Sequence, residues 1–571
     1  MRLKSALRRG VAAAVIAGIV VSSGIPAYAK TWNIADGDIT VKGASDESGN
    51  YNNVKQGEKD FEKDEGETVI TGESDKNTVT IDTSEGNVDV TFDDLKIDVS
   101  GKAEGDGSGK TEGDVSDETE GDGSDDSPVD AGKAAVRVEG GGDAAIELDG
   151  DNELKSGSHN AGLEKNGNES SGKLTIKDDN DTKGSLTAEG GKDGAGIGGG
   201  YESGAGNIEI TGGTINASSY DGSGIGSGDS AKGDTDIKIK NSNVTAKGFI
   251  DVRYVSHGTG IGSGLSSSGK TTIDISGGTV KATGSGDGYK GSAGIGSGSY
   301  STGDTSITLR DGVTVTATGG GNSSLGGGGG AGIGSGSDAN GNTTILIEGA
   351  AKVTATGGST AAGIGSGHYV GDINDPSVGS TTITIRNSDD GRVIPIIEAK
   401  GGSNENGSCW ASGAGIGSGG NTLNKTTINI EGGEITATGG VSLDSRNHSD
   451  ERLSGAGIGS GSNVSGETEI NIKGGTITKV TGGKYGGAGI GSGSSDTKDD
   501  SKKGAVTINI TGGTITEATG GSEYVSSSKR WYSGAGIGAG LNAGTTTINI
   551  KDNAHIVSAT GGIYGGAGIG S

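Results

Sequence analysis

The sequence predicts an all-β protein that folds as a right-handed parallel β-helix, with about one three-strand coil for each copy of a glycine-rich repeat. The phrase GAGIGSG and its close variants recur eleven times from Gly194 to Ser571, at intervals of 28 to 52 residues. A second phrase, typified by TTINIEGGEITATGG, lies between successive copies. Repeats of this length are typical of solenoids, whose insertions collect in corner loops.

Apolar and polar residues alternate within each phrase, which predicts three short half-buried strands per unit. In one unit, the residues expected to point inward are Ala414, Ile416, Ile428, Ile430, Ile435 and Ala437. Glycine pairs such as Gly432 and Gly433 suit the corners, because glycine tolerates a positive φ. Crossovers between parallel strands are right-handed. The coils must stack, because one coil buries too little apolar surface to offset the entropy of ordering about 30 residues.

The composition is that of a solenoid with a thin core. Glycine accounts for 123 of 571 residues, proline for 4, and aromatic residues for 3%. Collagen is excluded, because the glycines follow no G-X-Y period and proline is scarce. The net charge of −28 makes nucleic acid and anionic membranes unfavourable partners. The single cysteine, Cys409, cannot form an intramolecular disulfide.

The order of segments predicts a secreted protein. Residues 1–29 combine a basic start, a short apolar run and small residues before Ala29, which is the pattern of a signal peptide. The apolar run is too short to span a bilayer, so we expect no membrane insertion and a secreted, extracellular or cell-wall location. We expect the mature chain to contain an N-terminal cap with irregular coils at 30–100, an acidic disordered insert at 101–133, degenerate coils at 134–193 and regular repeats at 194–571.

The glycine phrase also matches a dinucleotide-binding fingerprint. Gly194, Gly196 and Gly199 satisfy the G-x-G-x-x-G pattern. That fingerprint functions as a single turn between a strand and a helix whose N-terminus faces the pyrophosphate. Here the phrase occurs eleven times, and each internal copy is followed by a loop and another strand. We therefore interpret it as a structural strand.

Aromatic residues recur about five to seven positions before the repeat isoleucine, so stacking in register would align them along one edge of the rod. Such an edge could stack against sugar rings, or it could simply cover a corner of the helix. The candidate carbohydrate-binding residues are Trp410, Trp531, Tyr532, Tyr485, Tyr564, Tyr289, Tyr220 and Tyr254. We single out Trp410 and Trp531, because large indoles in polar loops require an explanation.

The sequence suggests no catalytic residues. Its five histidines, at positions 159, 257, 368, 448 and 555, are interpreted as occupying different places within their units. Acids such as Glu209 and Asp274 occur singly on outward strand positions. Acid–base catalysis of glycoside cleavage requires clustered carboxylates or bases. We therefore expect a protein that is not an enzyme.

We expect no cofactor and no defined metal site, because no carboxylate recurs at one position in successive units. Weak calcium binding by loop aspartates such as Asp229, Asp338 and Asp496 stays open. The outward asparagines Asn429, Asn471, Asn509 and Asn549 do recur at one position. We interpret them as a side-chain ladder that stabilises the stack.

The repeated phrases, preceded by NTVTID, DVTFDDLKID, AAIELDGDNELKSG and AGLEKNGN, resemble the secreted β-helical carbohydrate-binding-domain repeat proteins of Gram-positive bacteria. The resemblance covers nearly the whole mature chain apart from the acidic insert. It implies an extracellular, non-catalytic protein that binds a polysaccharide or surface glycan, or mediates adhesion. The family has no fixed catalytic residues to transfer. Because the sequence stops at Ser571 within GAGIGS, we expect further sequence to supply a cap and any cell-wall association.

Three hypotheses follow for the function. The first is a glycan-binding rod whose aromatic edge provides the affinity. The second is a structural stalk or a protein-binding adhesin. The third is a β-helical polysaccharide lyase or glycosidase.

Overall fold

The computed structural model describes residues 30–571, except 48, 65, 102–131, 249–256, 287–289, 322–326, 351, 373, 376, 405–410, 444–451 and 527–528. The predicted parallel β-helix is confirmed: strands on the faces of the rod pair in parallel with their equivalents one coil away. Two short 3-10 helices, Ile34–Asp36 and Asp500–Lys502, interrupt the described strands. The signal peptide and nearly all of the acidic insert lie outside the described residues, so both stay predictions.

The first face of the rod carries the repeat isoleucine. Its strands pair isoleucine with isoleucine, from Ile197 with Ile225 to Ile537 with Ile569. The strands of this face are Ile39–Asp46, Val79–Asp82, Val136–Gly140, Leu163–Ser170, Ile197–Gly198, Ile225–Gly226, Ile261–Gly262, Ile295–Gly296, Ile333–Gly334, Ile364–Gly365, Ile416–Gly417, Ile458–Gly459, Ile490–Gly491, Ile537–Gly538 and Ile569–Gly570.

The second face carries the TTINI phrase. Its strands are Lys30–Asn33, Lys173–Lys177, Gly206–Ile210, Thr235–Lys240, Thr271–Ser276, Thr305–Arg310, Thr343–Glu348, Thr381–Arg386, Thr426–Ile430, Thr468–Ile472, Val506–Ile510 and Thr546–Ile550. The longer strands Thr68–Ser74, Val88–Asp98 and Ala144–Lys155 continue onto the third face, and irregular pairing marks the bend in the first two.

The third face carries the TITAT phrase. Its strands are Gly184–Glu189, Thr214–Ser219, Asn243–Gly248, Thr279–Thr283, Thr314–Thr318, Lys352–Thr356, Ile396–Lys400, Glu434–Thr438, Thr476–Thr481, Thr514–Ile515, Ala518–Thr519, His555–Ile556 and Ala559–Thr560. The third face thus completes a coil of three strands for each copy of the glycine phrase, as the repeat predicts.

Antiparallel hairpins extend from the rod at two kinds of position. Near the N-terminus, Gly49–Gln56 pairs with the first-face strand Ile39–Asp46 and with Glu62–Asp64. In the corner between the third and first faces, two insertions form hairpins of their own. These pairs are Val441–Leu443 with Arg452–Ser454, and Ser522–Val525 with Arg530–Ser533.

Among the described residues, the main core is continuous along the rod and is filled mainly by isoleucine, leucine, valine and alanine. In the unit used above, all six residues that were predicted to point inward are fully buried. The intervening Thr427 and Asn429 on the second face are only partly buried. The predicted period-2 alternation is therefore confirmed.

The glycine phrase allows coils to approach each other closely. Gly417 has φ of 137°, and a Cβ on it would lie 1.8 Å from the carbonyl oxygen of Gly459 in the next coil. The ten corresponding glycines from Gly198 to Gly538 have φ between 137° and 141°. Any larger residue would therefore collide with the neighbouring backbone. Close packing of the coils therefore explains the GAGIGSG phrase, as expected if the phrase is a structural strand and not a dinucleotide-binding turn.

A row of buried serines links successive coils on the first face. The hydroxyl of Ser418 accepts a hydrogen bond from the backbone N–H of Gly461 at 3.0 Å. The same bond recurs at the other members of this serine row, at 2.8 to 3.2 Å. Its members are Ser227, Ser263, Ser297, Ser335, Ser366, Ser418, Ser460 and Ser492. The row explains why serine follows the isoleucine–glycine pair so often.

The outward asparagines form the predicted ladder. The amide of Asn471 donates to the side-chain oxygen of Asn429 at 3.1 Å. Asn509 donates to Asn471 at 2.9 Å, and Asn549 donates to Asn509 at 2.8 Å. The row of amides therefore stabilises the stacking of four coils.

We expect Ser418→Ala to lower the free energy of unfolding by about 1–2 kcal/mol, because the buried N–H of Gly461 would lose its acceptor. Urea denaturation would measure the change, with the exposed Ser45→Ala as the control. Equal midpoints and slopes for Ser418→Ala and the wild type would contradict a stabilising role for the serine row.

Candidate carbohydrate-binding site

The structure describes five of the eight candidate aromatic residues. Trp410, Tyr289 and Tyr254 lie outside the described residues. Tyr220 is half-buried at the corner that precedes Ile225. The other four candidates, Tyr485, Trp531, Tyr532 and Tyr564, lie in the corner between the third and first faces, next to the last coils of the sequence.

Tyr485 and Tyr532 fill the interior of this corner. Their ring centroids are 6.0 Å apart in an edge-to-face arrangement, and they pack with Val441 and Val525. The hydroxyl of Tyr485 accepts a hydrogen bond from the Arg452 guanidinium at 3.0 Å. Because both tyrosines are buried, neither can offer a ring face to a ligand. Their prediction as carbohydrate contacts is corrected: they fill the corner of the helix, which was the alternative explanation for the aromatic residues.

Tyr524, Trp531 and Tyr564 form an exposed group that we call the aromatic platform. The ring centroids of Tyr524 and Trp531 are 5.2 Å apart, and those of Trp531 and Tyr564 are 4.6 Å apart. Their exposed fractions are 46%, 39% and 75%, respectively. The platform therefore combines two of the predicted residues with one, Tyr524, that the spacing rule missed.

The corner hairpin determines the position of these rings. Tyr524 and Trp531 are directly opposite each other in the antiparallel pair, so their side chains emerge on the same face. Tyr564 comes from the turn of the next coil, where its φ is 61°. The N–H of Ile563 in that turn donates to the hydroxyl of Ser522 at 3.1 Å. The platform thus spans two coils that are hydrogen-bonded to each other.

A second cluster lies at the same corner, much nearer the N-terminus. His159, Asp193, Asp221 and His257 each occur four residues before a first-face strand, on four successive coils, and we call them the His–Asp row. Nδ1 of His159 lies 2.7 Å from a carboxylate oxygen of Asp193. Nδ1 of His257 lies 3.6 Å from Asp221, which also accepts the backbone N–H of His257 at 3.0 Å. The row therefore places two imidazole–carboxylate pairs side by side.

A third carboxylate, Asp229, packs against this row. Its backbone N–H donates to the carbonyl of Asp193 at 2.8 Å. Burial, with the charges of Asp193 and Asp221, raises the pKa of Asp229 to about 6. Burial also raises the pKa of Asp193. Asp229 can therefore hold a proton closer to neutral pH than an exposed aspartate does.

The expectation that the histidines occupy different places in their units is wrong for His159 and His257. Both lie four residues before the first residue of a first-face strand, Leu163 and Ile261. The shared position of the two histidines is not obvious from the repeat isoleucines, because the strand after His159 begins with Leu163 instead of isoleucine. Counting four positions back from each first-face strand would have revealed the row.

Comparison with known families agrees with this architecture. The family model described as Beta helix repeat matches residues 182–201, 208–229, 273–299, 345–368, 428–462, 470–494 and 508–541. The chain is a β-helix repeat protein. No curated protein and no solved structure matches it significantly.

The acids that the sequence places singly on the strands of this β-helix repeat protein form ion pairs between coils. Glu209 lies 2.7 Å from Lys173 and also pairs with Lys240, and these two lysines lower its pKa to about 2. Asp274 accepts two hydrogen bonds at 2.9 Å from Arg310, one coil away. These carboxylates therefore connect neighbouring coils.

The described part of this β-helix repeat protein contains neither a metal-binding cluster nor a membrane-spanning helix. Within it, no group of three or more histidine, cysteine or acidic side chains is arranged to hold a metal ion. None of its described helices is long and apolar enough to cross a bilayer.

Proposed function

We propose that this protein is a secreted or cell-surface, non-catalytic rod that binds a polysaccharide or surface glycan through the aromatic platform. The observation that supports the proposal is the grouping of three exposed rings, within 4.6 to 5.2 Å of their neighbours, in a chain with only 3% aromatic residues. Exposed apolar surface of this kind marks sites of interaction.

The chemistry of the platform suits a sugar better than a purely apolar ligand. Pyranose rings have an apolar C–H face that can pack on an aromatic ring, while their hydroxyls need hydrogen-bond partners at the edge. The platform hairpin carries hydroxyl groups for this purpose, because Ser522 and Ser533 are opposite each other on the same face as Tyr524 and Trp531. The net charge of −28 disfavours polyanionic glycans. We therefore propose a neutral or cationic glycan.

The non-catalytic part of the proposal rests on the His–Asp row. Asp193 and Asp221 are each only 6% exposed, and both already contact histidines of the row. A general acid or base must reach the substrate. We propose that the row has a structural role.

We also propose that glycan binding needs no metal. Of the loop aspartates considered for calcium, Asp338 already forms an ion pair with Lys290 at 2.7 Å.

We expect Trp531→Ala to weaken glycan binding at least about tenfold, because the central ring of the platform contacts both of its neighbours. A glycan array would identify the ligand, and titration calorimetry with and without calcium would measure the affinities of wild type and variant. Tyr300→Ala serves as the control, because Tyr300 is similarly exposed but lies in a different part of the chain.

Several outcomes would decide between the hypotheses. Unchanged affinity in Trp531→Ala would contradict the platform as the binding site. Absence of glycan binding by the wild type would favour the structural stalk or protein-binding adhesin. Release of reducing ends or unsaturated products from a bound polymer would show that the protein is an enzyme.

A further inference from the structure

A polar groove lies on the second face near the N-terminal end of the rod, far along the chain from the aromatic platform. It has a volume of about 420 Å³, within the range of about 300–1,000 Å³ that is common for ligand sites. Four successive coils supply its floor, through Glu67, Asp89, Glu147 and Lys177. At a strand spacing of about 4.8 Å, the floor is roughly 14 Å long. The groove is therefore longer than one pyranose ring.

The N-terminal hairpin forms one wall of this groove. Tyr51 and Asn52 belong to the hairpin strand Gly49–Gln56 and line the groove. The amide of Asn52 donates to the hydroxyl of Thr68 at 2.9 Å and to the carbonyl of Asp89 at 2.7 Å. These bonds hold the hairpin against the coils, so the wall is fixed in the absence of a ligand.

The groove is strongly acidic. Four of its lining residues are carboxylates, Glu67, Asp89, Glu147 and Asp179, and one, Lys177, is basic. Glu147 is 7% exposed, and its carboxylate contacts Lys177 at 3.1 Å and accepts the backbone N–H of Asp179 at 3.0 Å. The charge of Glu147 is therefore balanced inside the protein. Glu67 and Asp89 are exposed residues of the lining; Glu67 accepts a hydrogen bond from the Thr91 hydroxyl, and neither carboxylate forms an ion pair with a described residue.

A lysine of the N-terminal hairpin region contacts the tyrosine in the wall of the groove. The ammonium of Lys63 lies 4.2 Å from the ring centroid of Tyr51 and 2.9 Å from Asp46. An ammonium group is thus stabilised by the same tyrosine that lines the groove. A cationic ligand would form charge-assisted hydrogen bonds with Glu67 and Asp89, whereas a neutral sugar would offer these carboxylates only hydroxyl donors.

We infer that this groove binds an amino sugar, with the protonated amine of a glucosamine-type unit paired with Glu67 and Asp89. The inference rests on the proposed function in taking a glycan as the ligand, and it adds a second contact point and a preference for cationic sugars. The side-chain amides of Asn50 and Asn87 line the same groove. The Asn87 oxygen accepts the N–H of Asp143, so its NH2 group is the part suited to a sugar hydroxyl. Two separated contact points on one rod would raise the affinity for a long polymer.

The test compares two oligomers of equal length by calorimetry with the full chain: a β-1,4-linked glucosamine tetramer and its N-acetylated counterpart. We expect the wild type to bind the glucosamine tetramer at least about tenfold more tightly, and the preference to shrink as salt is added. The double variant Glu67→Gln, Asp89→Asn should lose this preference. The matched control Glu398→Gln, Glu434→Gln, which also removes two exposed carboxylates from adjacent strands, should keep it.

Other results would overturn the inference. An unchanged preference in the groove variant, or equal binding of both tetramers by the wild type, would do so. Equally tight binding of a tetralysine peptide that competes with the glucosamine tetramer would show a general cation site. Trp531→Ala separates this inference from the proposed function. If Trp531→Ala weakens binding of the N-acetylated tetramer while the groove variant changes nothing, the result supports the platform as a binding site and contradicts the groove. If the groove variant loses the preference while Trp531→Ala binds normally, the result supports the groove and contradicts the platform.

Discussion

Gly417→Ala is expected to destabilise the rod by about 3–5 kcal/mol, the largest effect that we predict for a single methyl group. The added Cβ would lie 1.8 Å from the carbonyl oxygen of Gly459, at a φ of 137° that alanine rarely adopts. To avoid this clash the two coils would have to move apart. That movement would weaken the backbone hydrogen bonds between them and loosen the packing of the core around Ile416. Chemical denaturation followed by circular dichroism would measure the loss.

Gly233→Ala is the appropriate control for this prediction. Gly233 is exposed, and a Cβ there would come no closer than 3.5 Å to another atom, so we expect a change within about 0.5 kcal/mol. In repeat proteins, a weakened interface can divide the array into separately unfolding parts. A second transition in Gly417→Ala would therefore agree with the prediction, whereas a single transition at the wild-type midpoint would refute it.

Asp229→Asn is expected to stabilise the protein by about 2 kcal/mol at pH 8 and to have almost no effect at pH 4. The native state raises the pKa of Asp229 from 3.8 to about 6, through burial and through Asp193 and Asp221. Between these two values the folded protein binds more protons than the unfolded chain, so the stability of the wild type falls as pH rises through this window. Asparagine removes the cost of the buried charge.

The difference between wild type and variant at each pH isolates the contribution of Asp229. Thermal or urea unfolding from pH 4 to pH 8 would measure it. Asp389→Asn is the control, because its carboxylate is 88% exposed and only distantly paired with Arg386. A stabilisation by Asp229→Asn that is the same at pH 4 and pH 8 would contradict a raised pKa as its cause.

The architecture could be predicted from the sequence because the same physical requirement recurs in every coil. Ile428 and Ile430 alternate with polar residues, so the period alone shows which side is buried, and the structure agrees. The recurrent asparagine position likewise predicted the ladder from Asn429 to Asn549. In both cases in-register stacking converts a sequence repeat directly into a spatial row.

The binding surface was only partly predictable, because the corner loops differ from coil to coil. Tyr532 and Trp531 are adjacent in sequence, yet one is buried and the other exposed, since neighbouring strand residues point to opposite faces. Tyr524 lies too far before Ile537 for the spacing rule, and only the hairpin pairing brings it next to Trp531. The groove was unpredictable for a similar reason: its wall is a hairpin whose position depends on hydrogen bonds from Asn52.

The nearly constant backbone angle of the ten first-face glycines has a consequence for how such a protein can change over time. Because φ stays between 137° and 141°, the contact of this glycine with the next coil has nearly the same geometry in every regular repeat. Losing or duplicating whole coils would therefore keep this glycine contact at every remaining junction of the first face. The length of the rod can therefore change in steps of about 4.8 Å. Gain or loss of repeats in the gene would change the distance between the surfaces at the two ends while the fold is kept.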